Sequence, residues 1–332
     1  MAGLRIGSLC SGYRGLDMAV EKVFGATTAW VSDIDPGANK ILAHRWPTTP
    51  NIGDLTAARW DDVESVDILC GGYPCQPFST TGLRKGTQDE RHIWPYIADA
   101  LRVLRPRVAV FENVAGHLRL GFDTVLADLA GLGFDAEWCL VRASEVGAPH
   151  PRRRLFLLAT PSDAPHLGHE RGRTARGRGD GPADGDRTAT HAEGVGRGEG
   201  RPEPARQQGG PGPAGGGRAT AADTDGLGRG PEERHIWARQ PDAVWGRFLP
   251  AVRRWERVTG RYAPRATDDR NRLSPAFVEW LMGLRAGHVT DVPGLTRTQQ
   301  LKALGNGVVP QQAAAAIQLL ASRTVPSLAV AA

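Results

Sequence analysis

Short apolar runs alternate with amphipathic segments over the first half of the chain. The runs have the length and composition of buried strands, which are predicted near residues 4–9, 28–32, 66–70 and 107–112. Apolar residues at helical spacing lie between them and predict helices near residues 16–24, 36–45, 92–104 and 122–132. This alternation predicts an α/β fold, a doubly wound and mostly parallel sheet with helices on both faces.

The pattern stops at a tract of low complexity, residues 161–230. Ten arginines balance ten acidic residues there, among nineteen glycines and seven prolines, and large apolar residues are few. Such a composition cannot bury enough apolar surface to fold by itself. The tract is therefore predicted to be a disordered insertion.

The next segment, residues 231–272, carries ten arginines against six acidic residues, together with three tryptophans. Residues 245–256 are predicted to form an amphipathic helix with a basic face. Arginines interleaved with aromatic residues are typical of nucleic-acid contact surfaces, so Arg247, Arg253 and Arg254 are predicted to contact nucleic acid. The alternative is a structural helix that packs its tryptophans into a small lobe, and the two interpretations are compatible.

Composition sets limits on the class of protein. The 332 residues, 40% of them hydrophobic, suffice for one substantial core and a smaller lobe. Four cysteines without metal-site spacing predict a reducing compartment, no disulfide framework and no metal. No apolar run is long enough to span a membrane, so a cytoplasmic location is expected. The net charge of +5 suits a polyanionic partner, and 37 arginines against four lysines suggest a bacterial or phage source.

A candidate nucleophile, Cys75, follows the third predicted strand. The apolar run of residues 66–70 ends at two glycines, which places the cysteine at the carboxyl end of a strand, where open parallel sheets carry their chemistry. Pro74 and Pro77 restrict the backbone on either side and hold the thiol on a stiff turn. The alternative is an inert structural cysteine.

Five short motifs are distributed between residues 8 and 310. They are SLCSGYRG at 8–15, GGYPCQPFS at 71–79, FENV at 111–114, GAPHPRRRLF at 147–156 and GNGVVP at 305–310. In type and order they resemble the cofactor loop, the catalytic loop and the Glu-Asn-Val, Gln-x-Arg-x-Arg and Gly-Asn-x-Val motifs of the DNA (cytosine-5) methyltransferases. Ser8, Cys10, Arg14 and His150 depart from that pattern, since the family has Asp, Phe, Gly and Gln there.

The residue types suit the chemistry that this resemblance implies. Carbon 5 of cytosine is a poor nucleophile, and addition of a thiolate to carbon 6 makes it enamine-like. The resemblance implies that Cys75 makes this addition and that Glu112 protonates or hydrogen-bonds ring nitrogen 3. It also places Asn113 in the site, where it could orient the loop. Arg152 and Arg154 could stabilise the carboxylate, the flipped base or a phosphate.

The implied substrate is double-stranded DNA. The target base must be flipped out, because carbons 5 and 6 cannot be attacked inside the stack. Gln76 and Ser79, which follow the nucleophile, are predicted to contact DNA together with the arginines of residues 231–272. Two alternatives stay open, the same chemistry on RNA and a non-catalytic DNA-binding protein on the same scaffold. A monomer is expected, with or without a cognate restriction endonuclease.

A binding site for S-adenosylmethionine is implied near the start of the chain. Gly12 and Gly15 lie in the turn after the first strand and let the backbone approach a ligand closely. Asp33 follows the second strand, roughly 20 residues after the turn, where a carboxylate suits ribose hydroxyls. The predicted cofactor-binding residues are Leu9, Cys10, Ser11, Gly12, Gly15, Asp33, Ile34, Asp54, Leu55, Gly72, Pro74, Asn306 and Val308.

The resemblance also implies a Rossmann-like catalytic domain that is discontinuous in sequence. Two further strands, near residues 137–142 and 154–159, would complete its sheet, and a final helix near residues 311–322 would return to it. The predicted parts are residues 1–160 and 305–325 for the catalytic domain, 161–230 for the insertion, and 231–304 for a small target-recognition lobe and the return segment.

Overall fold

The computed structural model describes residues 3–74, 93–162 and 239–324. Within these ranges one sheet contains the strands β1 Arg5–Leu9, β2 Thr27–Ser32, β3 Ile68–Gly72, β4 Val108–Val114, β5 Phe134–Arg142 and β6 Arg153–Pro161. The α-helices of the same ranges are α1 Gly15–Phe24, α2 Pro36–Arg45, α3 Trp94–Leu104, α4 Phe122–Gly131, α5 Leu249–Thr259, α6 Pro275–Leu281, α7 Arg297–Asn306 and α8 Pro310–Thr324.

The strands are ordered β2-β1-β3-β4-β6-β5. The first four strands in this order are parallel to one another, whereas β6 runs antiparallel to both β4 and β5. The predicted α/β fold with a mostly parallel sheet is therefore confirmed. Leu9 pairs with Gly71, and Gly72 pairs with Glu112, so the carboxyl ends of β1, β3 and β4 meet at one edge of the sheet.

Helices cover both faces of the sheet. Buried residues of α3 and α4, such as Leu101 and Leu129, belong to the apolar cluster on one face. Buried residues of α1 and α8, such as Val20 and Ile317, belong to a second cluster with alternate residues of the same strands. The last helix thus packs against the sheet although about 150 residues separate it from β6.

The segment after residue 239 forms a third apolar cluster. Trp245, Trp255 and Trp280 are buried there together with Tyr13 and Ile41 of the sheet domain. The alternative interpretation, in which the tryptophans of residues 231–272 pack into the protein, is therefore correct for Trp245 and Trp255. Trp237 lies outside the described residues.

The helix predicted at residues 245–256 begins later than expected. Gly246 has a φ of +47°, which interrupts a right-handed helix, and Pro250 lies in the first turn of α5, where a missing N–H costs nothing.

The described residues all belong to one compact unit. Most of the predicted insertion lies outside the described residues, and its disorder stays a prediction. None of the helices in the described ranges is long and apolar enough to cross a membrane.

Candidate active site

A cavity of about 910 Å³ lies at the carboxyl ends of β1 to β4. Parallel sheets of this type bind ligands at this edge. All thirteen residues that were predicted to bind the cofactor line the cavity, as do Glu112, Asn113 and Arg154 of the predicted catalytic set. The structure thus brings together side chains from motifs that are up to about 300 residues apart in sequence.

The turn between β1 and α1 forms one wall of the cavity. Cys10, Gly12 and Arg14 all have positive φ angles, of 52°, 55° and 67°, so the chain reverses tightly before the helix. A Cβ atom on Gly15 would lie 2.2 Å from the carbonyl oxygen of Val308, so glycine is required for the approach of these two motifs. Burial raises the pKa of the Cys10 thiol to about 12, with Asp33 and Asp54 adding to the shift, so Cys10 stays a neutral thiol.

Asp33 organises the neighbouring wall. One carboxylate oxygen accepts the backbone N–H of Gly12 at 2.8 Å, and the other accepts that of Asp35 at 2.8 Å. Burial nevertheless raises the pKa of Asp33. The next side chain, Ile34, is 67% exposed and offers an apolar surface in the cavity wall. Asp33 therefore joins the β1 turn to the start of α2 and keeps lone pairs for a ligand.

Glu112 lies near the end of β4, next to Gly72 of β3. Its carboxylate oxygen Oε1 pairs with Nε of Arg154 at 2.9 Å, because β6 runs antiparallel beside β4. Burial raises the pKa of Glu112, against the opposing effects of Arg154 and Arg152. A carboxyl group of this kind takes up a proton more readily than an exposed one, which suits a general acid.

Asn113 connects Glu112 to the residues before the nucleophile. Its side-chain N–H donates to the carbonyl oxygen of Tyr73 at 3.4 Å, and its side-chain oxygen accepts the N–H of Val114 at 2.8 Å. The Tyr73 hydroxyl lies 2.8 Å from Nε2 of His117, whose Nδ1 lies 2.9 Å from the carbonyl oxygen of Leu120. Since that carbonyl can only accept, Nδ1 donates and Nε2 accepts from the tyrosine. These bonds hold Tyr73, two residues before Cys75, from both its backbone and its side chain.

Arg152 occupies a different place from Arg154. It does not line the cavity, and one of its guanidinium nitrogens donates to the carbonyl oxygens of Gly305 and Gly307 at 2.9 and 2.5 Å. It therefore supports the turn that carries Asn306. His150, at the position where the resembled family has Gln, lies with Nε2 2.9 Å from the carbonyl oxygen of Leu281. Burial lowers its pKa, so this histidine is a neutral donor to α6.

Cys75, Gln76 and Ser79 lie outside the described residues, so their roles stay predictions. Arg247 is exposed, and its guanidinium lies 5.0 Å from the ring of Phe248. Arg253 instead forms ion pairs with Glu256 and Asp242. Arg254 is exposed but donates from Nε to the carbonyl oxygen of Gly147 at 3.1 Å. A DNA contact by these arginines also stays a prediction, and the structure shows that they differ in accessibility.

Tyr73, Asp17 and Lys302 are among the cavity residues that the sequence analysis missed. Tyr73 lies between two predicted residues, and Asp17 is two positions after Gly15. Lys302 is four residues before Asn306 on α7 and therefore lies on the same helix face, which was the available signal. Its ammonium group pairs with Asp35, the N-cap of α2. Burial opposes ionisation of Asp35, but the bonds from Lys302 and the helix N–H groups lower its pKa overall.

Within the described ranges, no group of His, Cys, Asp and Glu side chains could hold a metal ion.

A mostly parallel sheet with a cavity at its strand ends defines a Rossmann-like α/β protein. Residues 4–176, just over half of the chain, match the family model of the C-5 cytosine-specific DNA methylases. The protein belongs to this family, and the resemblance seen in the five motifs is confirmed.

Similar proteins are also named as methyltransferases, and one of them is named for methylation of adenine. The type II methyltransferase M.NgoBV of Neisseria gonorrhoeae is 31% identical over 184 residues, which cover 51% of this chain and 41% of that protein. The DNA N-6-adenine-methyltransferase of Escherichia phage P1 is 39% identical over 148 residues, 40% of this chain and 20% of that protein. The match therefore spans less than half the length of either relative.

Solved structures show the same fold. A crystal structure of a DNMT2 mutant from Spodoptera frugiperda superposes with a TM-score of 0.57 at 18% identity and covers 96% of this chain and 99% of its own. The S. pombe Dnmt2 methyltransferase gives the same TM-score at 16% identity, with 96% and 99% of the two chains covered.

Proposed function

We propose that this chain transfers a methyl group from S-adenosylmethionine to carbon 5 of a cytosine in DNA, with Cys75 as the nucleophile. The observation that carries this proposal is a single cavity lined both by the predicted cofactor residues and by Glu112, Asn113 and Pro74, the residue before Cys75. Membership of the C-5 cytosine-specific DNA methylase family supports the same reaction.

The cavity fits the proposed methyl donor. Its volume of about 910 Å³ is in the range of small-molecule sites. Asp33 offers a carboxylate for ribose hydroxyls, Ile34 offers an exposed apolar surface for the adenine, and Asp54 lies beside them for the adenine amino group. When bound, S-adenosylmethionine supplies an activated methyl group. The protein's part is to hold and orient it and to exclude water.

Glu112 and Arg154 would assist the attack on the base. Addition of the Cys75 thiolate to carbon 6 pushes electrons onto ring nitrogen 3, and a proton from Glu112 would neutralise that nitrogen. The raised pKa of Glu112 keeps this proton available, while Arg154 fixes the orientation of the carboxyl group. Release of the product then requires loss of the carbon-5 proton, departure of the thiolate from carbon 6 and return of the nitrogen-3 proton to Glu112.

DNA is the proposed polyanion. Residues 239–272 hold nine arginines and four acidic residues, and exposed arginines such as Arg247 can neutralise phosphates. The target cytosine has to leave the duplex, since its reacting carbons are inaccessible in the stack.

The test is an assay that identifies the methylated nucleoside. The purified chain is incubated with methyl-labelled S-adenosylmethionine and unmethylated duplex DNA, and the DNA is digested for mass spectrometry. We expect 5-methyldeoxycytidine, and none with the Cys75→Ser variant. A parallel reaction with transfer RNA tests the RNA alternative. N6-methyldeoxyadenosine, label in RNA alone, or unreduced activity of the serine variant would each contradict the proposal.

A further inference from the structure

Arg14 combines two unfavourable features in the β1 turn. It has φ 67° and ψ 30°, a left-handed conformation that disfavours residues with a Cβ atom, and it forms the N-cap of α1. Its side chain is also only 1% exposed, although burial of a guanidinium without partners is costly. A charged residue in such a position needs compensating contacts.

The contacts of Arg14 connect the turn after β1 to three other elements of the fold. Its Nε pairs with Asp17 at 3.2 Å and Nη2 pairs with Glu21 at 2.6 Å, both on α1. Nη2 also donates to the hydroxyl of Thr28 on β2. The guanidinium carbon lies 4.3 Å from the ring centre of Trp46, the residue after α2, in a cation–π arrangement. The turn is thereby tied to α1, β2 and the end of α2.

Asp17 is the partner that lines the cavity. It is 1% exposed, and burial raises its pKa, while Arg14 gives the largest opposing effect and the Ser8 side chain the next. The Ser8 hydroxyl in turn lies 2.8 Å from that of Ser11 in the same turn. Ser8 and Arg14 both depart from the motif of the resembled family. Both also favour the ionised form of Asp17, a buried side chain in the cavity wall.

We propose that Arg14 is a positioning residue for the methyl donor: it holds Asp17 and the turn of residues 10–14 in the wall of the cofactor cavity. The inference rests on the proposed function, because it assumes that S-adenosylmethionine binds in this cavity. The donor carries a sulfonium and an ammonium group, and a carboxylate in the wall is complementary to these positive charges.

Binding measurements without DNA separate this role from a general contribution to stability. Arg14→Gly removes the backbone strain and the side-chain contacts together. Isothermal titration with S-adenosylmethionine should show a Kd increased roughly 10- to 100-fold, the range for loss of a charge-assisted hydrogen bond. The affinity should weaken further as the pH is lowered, because Asp17 takes up a proton more readily without its guanidinium partner.

A double variant identifies the part that Asp17 plays. Arg14→Gly with Asp17→Asn removes the unpaired buried carboxylate and should restore the melting temperature of the ligand-free protein, but not the affinity. Recovery of both would show a merely structural ion pair and overturn the inference. If the glycine variant does not fold, Arg14→Lys replaces it, because lysine keeps the charge but loses the forked contacts of the guanidinium. An unchanged Kd in the lysine variant would also overturn the inference.

The matched control is Arg59→Gly. Arg59 pairs with Asp62 at 3.1 Å but is 84% exposed, so its loss should leave Kd unchanged. Failure of the wild type to bind S-adenosylmethionine would refute the proposed function. Binding by the wild type with an unchanged Kd in Arg14→Gly would refute the inference alone.

Discussion

Replacement of Glu112 by glutamine tests the proposed acid directly. The amide keeps the shape of the side chain and an oxygen for Arg154, now 2.9 Å away, but it cannot supply a proton. General acid catalysis contributes about 10²- to 10⁴-fold to rate, so kcat should fall by that factor, equivalent to about 3–5 kcal/mol in the barrier. Affinity for S-adenosylmethionine should change little, because the amide preserves the cavity wall.

The fold should tolerate this change. Loss of the ion pair removes a charge-assisted bond worth about 1.5–3 kcal/mol, but it also removes the cost of burying a carboxylate. Burial outweighs the two arginines in its effect on the pKa of Glu112, which is raised overall, so the ionised carboxyl is penalised at neutral pH. We therefore expect a melting temperature close to that of the wild type, and the fall in kcat then reports on chemistry.

The pH dependence follows from the direction of the same shift. Because the folded pKa of Glu112 is raised, this group contributes stability below its unfolded pKa, and the contribution is lost as the pH rises through the folded pKa. The rate should fall over the same range as the acid loses its proton, and Glu112→Gln should lack this part of the profile.

The assay measures kcat for methyl transfer to duplex DNA between pH 5 and 9. Glu64→Gln is the matched control, since Glu64 is 54% exposed, pairs with Arg5 and lies away from the cavity. A Glu112→Gln variant with kcat within threefold of the wild type, or with the wild-type pH profile, would refute the assignment of Glu112 as the acid.

Three further predictions concern the nucleophile, its support and the DNA contacts. Cys75→Ser should abolish methylation and the covalent adduct with DNA containing 5-fluorocytosine while leaving DNA binding intact; retained turnover would contradict this. Tyr73→Phe, which removes only the hydroxyl bonded to His117, should slow adduct formation without changing the Kd for S-adenosylmethionine, and an unchanged adduct rate would exclude this support. Arg247→Ala should reduce the salt dependence of DNA binding by about one counterion, more than Arg253→Ala does; equal effects would contradict the ranking.

The fold and about half of the cavity wall could be predicted because they depend on local patterns. Each parallel strand is a short apolar run, and the chemistry follows directly after it in sequence. The bounds were less accurate. The third strand was predicted at residues 66–70 but lies at Ile68–Gly72, because its ladder to β1 and β4 sets its limits, whereas Val66 is buried without belonging to it.

The role of Arg14 could not be predicted for a different reason. As a sequence feature it is a defect in a glycine-rich turn, and nothing local indicates that its guanidinium reaches Thr28 or Trp46. The left-handed conformation was predictable from the glycine that the resembled family has there, but the compensating contacts exist only after α1, β2 and α2 have packed together.

Charge counting at the predicted basic helix ignores the direction in which each side chain points. Arg253 and Arg254 are adjacent, yet successive helical residues point about 100° apart, so one meets Asp242 and Glu256 and the other meets the carbonyl of Gly147. Among the nine arginines between residues 239 and 272, Arg239, Arg253, Arg265 and Arg272 each pair with a carboxylate. The charge available to phosphates is thus smaller than the composition suggests, and an unpaired exposed arginine such as Arg247 should dominate the salt dependence of DNA binding.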